Sequence, residues 1–292
     1  MSILVTGGSG QLGQELSRRS QRVMALDRQS LDITEIVAVE RAIAQYQPSL
    51  VINAAAYTAV DRAESEPEAA FRINRDGPAC LALACQRASI PLFHVSTDYV
   101  LDGTQQGPYR ETDPVAPLGV YGRSKEAGEA AVRASLEHHL ILRVSWVFAG
   151  HGHNFVRTML RLAADRPALG IVADQWGCPT YAGHIAEILL ALADRYQQQS
   201  NLAWGTYHYA DTPATSWYGF AKAIFATAQR LGLTQAPQLS PITTADYPTA
   251  AQRPANSQLD CSKLQDTFGL KRFAWQAGLE AALQELMALP VA

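Results

Sequence analysis

The stretch T-G-G-S-G-Q-L-G at 6–13 restricts the fold more than any other part of the chain. It follows S-I-L-V-T (2–6), a short apolar run, and opens a helical pattern over 11–20. A strand turning through glycines straight into a helix is the dinucleotide-binding arrangement, and Gly7, Gly10 and Gly13 have its spacing. Gly7 allows the tight turn, Gly10 lets a pyrophosphate approach the backbone, and Gly13 lets the helix pack on the strand. Free N–H groups of the first helical turn, at Gln11, Leu12 and Gly13, then face the anion. Asp27 ends the second strand, where a carboxylate would bind the ribose 2′-hydroxyl of NAD. Arg28 beside it would instead accept the 2′-phosphate of NADP, so NADPH and NADH both stay open. Asp32-Ile33-Thr34 reads as an adenine contact or as a helix start, with capping by Thr34 the preferred reading.

The alternation continues to about residue 148. Runs 23–27, 50–54, 91–96 and 140–148 are expected strands, too continuously apolar to be half-exposed. Helices are expected over 35–47, 67–88 and 121–136. Such an order predicts an α/β fold, a Rossmann-like doubly wound parallel sheet. Beyond 148 the pattern gives helices near 154–165, 183–197, 215–231 and 277–288, and a strand at 205–210. Residues 171–180 are expected as an irregular loop, and 236–257 as a Pro-punctuated stretch. The division expected is a nucleotide-binding domain, 1–148 plus about 183–210, and a smaller C-terminal α/β substrate-binding cap, about 149–182 plus 211–292.

Charge excludes one class of partner. Net charge is −3 and Lys and Arg form no dense cluster, so no nucleic acid is expected. No apolar run approaches the roughly 20 residues that span a bilayer. The N-terminus enters a strand directly, without the pattern of a signal peptide. Cys80, Cys85, Cys178 and Cys261 lack metal or redox spacing and read as reduced thiols of a cytoplasmic protein. His151 and His153, two apart with no third ligand in sequence, read as ordinary loop residues rather than a metal pair.

Two Tyr-x-x-x-Lys pairs put a phenol and an ammonium on one helix face: Tyr121/Lys125 and Tyr218/Lys222. A reductase must protonate the oxygen it reduces, and an ammonium favours the phenolate of a nearby tyrosine. It also needs a hydroxyl donor for the developing charge, at the end of a strand. H-V-S-T-D-Y-V (94–100) supplies Ser96 and Thr97 ahead of Tyr121. Tyr218 has no such strand end, and its neighbours Trp217, Phe220 and Ala221 suit a packed helix. Context selects Tyr121/Lys125.

These motifs, with N-A-A-A-Y-T-A-V-D-R-A-E (53–64), Y-G-R-S-K (121–125), R-V-S-W-V-F-A-G (143–150), D-Q-W-G-C-P-T (174–180) and R-P-A-N-S-Q-L-D (253–260), span nearly the whole chain. They resemble the extended short-chain dehydrogenase/reductases and, within them, the dTDP-4-dehydrorhamnose reductase family. The resemblance implies hydride transfer from NADPH or NADH to the C4 ketone of a nucleotide sugar. It implies Tyr121 as proton donor, Lys125 holding the nicotinamide ribose and lowering the tyrosine pKa, and Thr97 bonding the ketone. Ala54, Ala55 and Ala56 would line the cofactor. Thr58, Val60, Arg62, Asp98, Tyr99, Trp146 and Arg253 would meet the substrate. Arg62 replaces a frequent Lys. Some relatives bind Mg2+ at a dimer contact through three glutamates. Glu15 and Glu285 match two of them, but 181–184 offers no carboxylate, so no metal is expected and the state is monomer or homodimer. The stretch 252–264 also resembles the regulatory β subunit of methionine adenosyltransferase, a non-catalytic alternative. A nucleotide-sugar epimerase or dehydratase is a third reading, through Asp98.

Overall fold

The computed structural model describes residues 2–288, so the last four residues of the expected cap lie outside the described residues. The chain begins β1 (Ile3–Thr6), α1 (Gln11–Arg19), β2 (Val23–Leu26), α2 (Ile36–Tyr46), β3 (Leu50–Asn53). Two short helices follow, α3 (Val60–Ala63) and α4 (Pro67–Phe71), then α5 (Gly77–Ala88), β4 (Leu92–Thr97), α6 (Val120–Ser135) and β5 (His139–Val144). The second half contains β6 (Val147–Phe148), α7 (Phe155–Asp165), β7 (Ala168–Val172), β8 (Trp176–Gly177), β9 (Thr180–Tyr181) and α8 (Ala182–Gln199). It ends with β10 (Gly205–Tyr209), β11 (Thr215–Ser216), α9 (Trp217–Arg230), β12 (Gln238–Ile242), α10 (Ser262–Phe268) and α11 (Trp275–Ala288).

The main sheet has the order β10-β5-β4-β3-β1-β2, with every pairing parallel. Alternation along each strand sorts its side chains to two faces. Ile3, Val5, Leu50, Ile52 and Phe93 pack with α1, α8 and α10, whereas Leu4, Val51, Leu92 and Ile141 pack with α2, α5 and α6. Both faces are covered, which is why the strands read as continuous apolar runs. Strand order reverses between β1 and β3, so the loops leaving them, 7–10 and 54–59, open a crevice at the carboxyl edge of the sheet. A separate apolar cluster joins Phe148, Met159, Ile171, Phe220, Phe225 and Trp275 of the second half.

Four expectations need correction. The run 140–148 is not one strand: β5 stops at Val144, Trp146 adopts φ 47°, and β6 leaves the sheet to pair with β9. A left-handed residue cannot continue an extended chain. The helix expected over 67–88 is interrupted by a π-turn at Arg72–Asp76. There the side chain of buried Asn74 exchanges hydrogen bonds with the Tyr57 backbone, and its carbonyl oxygen lies against Gly128 of α6. Residues 171–180 are not wholly irregular, because β7, β8 and β9 cross them. The Pro-punctuated stretch contains β12, which pairs parallel with β7. Pro241 is tolerated there because a two-stranded sheet leaves each strand an edge without a ladder partner.

Candidate active site

The glycine turn is shaped by close approach. Gly7 has φ +78°, and a Cβ there would lie 2.7 Å from the Ala55 nitrogen and 2.8 Å from the Ala54 carbonyl. A side chain at Gly13 would run into the Gly7 carbonyl, so helix and turn touch only because it is glycine. Gly10 caps α1 without a side-chain partner and no acid stands in the first turn, leaving the N–H groups there for an anion. Leu12 contributes only its backbone, since its side chain is buried in the core. Gln11 is braced from the second half, accepting from Asn154 Nδ2 at 2.8 Å. Ala54, Ala55 and Ala56 are half-buried beside this cradle, and the Ala55 N–H bonds to Asn53 Oδ1 at 3.1 Å. The residues present fit a dinucleotide.

Farther out the picture differs from expectation. Asp27 Oδ1 accepts the Ser30 N–H and hydroxyl at 2.9 and 2.8 Å, and these bonds hold its pKa down. Arg28 beside it is exposed. Thr34 does not cap α2: Glu35 holds the cap position without a side-chain bond, and Thr34 donates its N–H and hydroxyl to Asp32. Ile33 is buried in the core, against Gly77, rather than presented to a ligand.

The second half of the crevice is built by β4 and α6. Thr97 ends β4, is buried, and donates its hydroxyl to Asp98 Oδ1 at 2.8 Å. Tyr121 lies in the first turn of α6, its ring edge-on to Tyr99 with centroids 5.4 Å apart. Burial pushes the Tyr121 phenol up, and the Thr97 hydroxyl works against that shift. The Lys125 ammonium donates to the Val95 carbonyl at 2.8 Å. Burial pulls it down to about 8, against the pull of Glu129. The expected lowering of the tyrosine is not seen: burial dominates and holds the Tyr121 phenol above its ordinary value. Burial raises Asp98 to about 6, opposed by the hydroxyls of Thr97, Ser257 and Ser145. It raises Tyr99 to about 12.

Of the remaining expected residues, Arg253 joins this cluster. Its Nη2 donates to Asp61 at 2.7 Å, its guanidinium carbon lies 5.9 Å from the Tyr99 ring centre, and Nη1 is buried without a partner. Thr58 and Arg62 are exposed, and Val60 is half-buried. Arg62, expected to meet the substrate, pairs with Glu66. Trp146 stacks on Trp217, centroids 3.5 Å apart, and is pressed by Gly177. Tyr218 and Lys222 form a cation–π pair at 5.7 Å on α9. Sequence reasoning missed Asp61, Glu64, Asn74 and Ser257. For Glu129 a signal existed, since Lys125, Glu129 and Arg133 follow each other at helical spacing.

Contrary to its reading as an ordinary loop residue, His151 lies with Glu15 and Glu285, their ligand atoms within 4.8 Å of one another. Arg18 pairs with Glu285 and Arg19 with Glu15. His184, in the 181–184 stretch that offers no carboxylate, is bonded to Asp211 at 2.7 Å. Mg2+ takes oxygen ligands, usually carboxylates and waters, so two carboxylates already neutralised by guanidiniums fit it poorly.

A parallel sheet with a glycine cradle at its switch point and a Thr, Tyr, Lys cluster at the next strand end defines a short-chain dehydrogenase/reductase of the extended kind. Within that class the chain belongs to the family described as RmlD substrate binding domain, which matches residues 1–288. A dTDP-4-dehydrorhamnose reductase of Aggregatibacter actinomycetemcomitans is 47% identical over 95% of this chain and 97% of its own. The crystal structure of a dTDP-4-dehydrorhamnose reductase from Clostridium acetobutylicum is 36% identical with a TM-score of 0.90, covering 98% of this chain and all of its own. That of the Bacillus anthracis reductase in complex with NADP is 35% identical with a TM-score of 0.89, at the same coverage of this chain and all of its own. No helix among the described residues is long and apolar enough to cross a membrane.

Proposed function

We propose that this chain reduces the C4 ketone of dTDP-4-dehydro-β-L-rhamnose to dTDP-L-rhamnose, with NADPH as hydride donor. The observation that carries the reading is the convergence of Thr97, Tyr121 and Lys125 at the end of β4, beside the cradle at the switch point. The bound nicotinamide supplies the hydride. Tyr121, kept protonated by burial, gives its proton to the oxygen as charge develops. Thr97 and Tyr121 orient the ketone oxygen, and Lys125 holds the nicotinamide ribose. Arg253, anchored by Asp61 and with Nη1 unpartnered, receives an anionic group of the substrate. Residues 1–148 plus about 183–210 form the cofactor domain on this reading, and about 149–182 plus 211–292 the substrate cap.

NADPH is preferred over NADH because Ser30 already occupies Asp27 Oδ1 while Arg28 stands exposed. The test supplies dTDP-4-dehydrorhamnose made in situ and follows NADPH absorbance. Substrate-dependent oxidation by the pure protein is expected. Its absence overturns the reading and promotes the non-catalytic regulatory subunit. Arg28→Ala should weaken NADPH binding and leave NADH binding unchanged.

A further inference from the structure

The helix that carries Tyr121 and Lys125 lacks a cap of its own. Gly119 occupies the cap position of α6 in extended conformation, φ −116° and ψ 174°, with no side chain to accept an N–H. The first donor of the helix is satisfied from elsewhere: Val120 N–H reaches Glu64 Oε1 at 2.7 Å, 56 residues away in sequence. A charged acceptor at a helix start satisfies an orphan donor and opposes the positive end of the helix dipole. The contact also accounts for the glycine. A Cβ at Gly119 would lie 2.7 Å from that carboxylate oxygen, so a local cap and the distant one compete for one space. Packing supports the contact, because Ala63 is buried against Val120 with Tyr121 alongside. One turn before Glu64, Asp61 accepts the Ala251 N–H at 3.1 Å and Arg253 Nη2 at 2.7 Å. Two carboxylates of a single helical turn thus grip the segment bearing Arg253 and the helix bearing Tyr121.

We propose that Glu64 is a positioning residue: its carboxylate is the cap of α6, and it holds the first turn of that helix where Tyr121 meets the substrate. The proposal rests on the reading of Tyr121 as proton donor. It goes beyond that reading by assigning the placement of the donor to a residue that need not touch cofactor or substrate. A shift of a donor by a fraction of an ångström is costly to a transition state and nearly neutral to ground-state binding.

The experiment compares wild type with Glu64→Ala, Gly119→Ala and the double variant Glu64→Ala/Gly119→Ser. Glu64→Ala should lower kcat about tenfold, with KM for the nucleotide sugar and Kd for NADPH within about twofold. Gly119→Ala, which displaces the carboxylate without removing it, should do the same and serves if Glu64→Ala does not fold. The serine of the double variant enters the vacated space as a local cap, a residue preferred there, and should restore most of kcat. Hydrogen exchange of the Val120–Arg123 amides should accelerate about tenfold in the single variants and return in the double one. A lower melting temperature with kcat and exchange unchanged overturns the proposal, as does failure of the double variant to recover either. If wild type itself oxidises no NADPH with substrate, the proposed function fails, and the exchange measurement still decides whether Glu64 caps the helix.

Discussion

Replacing Asp98 with asparagine should change the stability of the protein by an amount that depends on pH, increasingly in favour of the variant as pH rises to neutrality. Asp98 is 2% exposed and its carboxyl is raised by burial from 3.8 to about 6. The hydroxyls of Thr97, Ser145 and Ser257 offset only part of that burial. Between about pH 4 and 6 the native state therefore binds a proton that the unfolded chain has released. Stability from this group is fully present below the unfolded value and is lost as pH rises through the native one. A difference of about 2 units at 1.36 kcal/mol each makes the loss about 3 kcal/mol. An asparagine in its place would be neutral at every pH and escapes that loss, apart from a constant offset for bonds it makes differently. Urea unfolding of both proteins at several pH values isolates the effect, because all other groups cancel in the difference. The unfolding free energy of Asp98→Asn minus that of wild type should grow by about 3 kcal/mol from about pH 4 to 7, then stay level. Parallel pH curves would refute the argument, since they mean that Asp98 titrates alike in both states.

Other outcomes follow from the same geometry. Tyr121→Phe should lower kcat by about 10²- to 10⁴-fold with NADPH affinity unchanged, as measured by fluorescence titration. Tyr218→Phe should change kcat less than about twofold, and the reverse result would mean that the other Tyr/Lys pair carries the proton. Arg253→Ala should raise KM for the nucleotide sugar by about tenfold or more, and Asp61→Asn should do so more weakly by loosening the same guanidinium; kcat against KM plots check both. EDTA dialysis should leave turnover and melting temperature unaltered, because Arg18 and Arg19 already neutralise the carboxylates beside His151.

What the sequence disclosed depends on how locally each feature is written. The glycine turn is a property of eight consecutive residues, and its consequences at Gly7 and Gly13 are contacts with an adjoining loop and turn. The buried strands announce themselves because both faces are covered, which leaves no polar alternation. Glu64 could not be read this way: its partner lies in another helix, and no period links Val120 to position 64. The pairing of β7 with β12 joins segments about seventy residues apart, and a proline in the second disguised it. Trp146 looked like part of a strand because aromatic residues favour strands, whereas its backbone is left-handed and its ring stacks on Trp217 of α9, a partner far along the chain. His151 became part of a charged cluster only through α1 and α11, which the sequence places at opposite ends of the chain.

The face of α6 turned to the sheet poses the remaining physical question, since it carries charge where a helix on a parallel sheet ordinarily carries aliphatic residues. Val132 and Leu136 continue the apolar core, but Lys125 and Glu129 are both buried nearer the carboxyl edge. An ammonium at 2% exposure tends to lose its proton, and the neighbouring Glu129 charge is what opposes this. A buried carboxylate in turn needs cations, and Glu129 has them: Arg143 donates to both oxygens at 2.9 and 2.7 Å, and Arg133 at 2.9 Å. Burial, and then the Arg143 charge, pull His208 down to about 4, so that it stays neutral beside the guanidinium. Its Nδ1 lies 3.0 Å from the Tyr109 carbonyl and must donate there, which leaves Nε2 to accept from Arg143 at 3.4 Å. Each charge is tolerable only because of the next. The state of Lys125 is therefore a property of α6, β5 and β10 together, and a replacement at Glu129 or Arg143 reaches the active site without touching it.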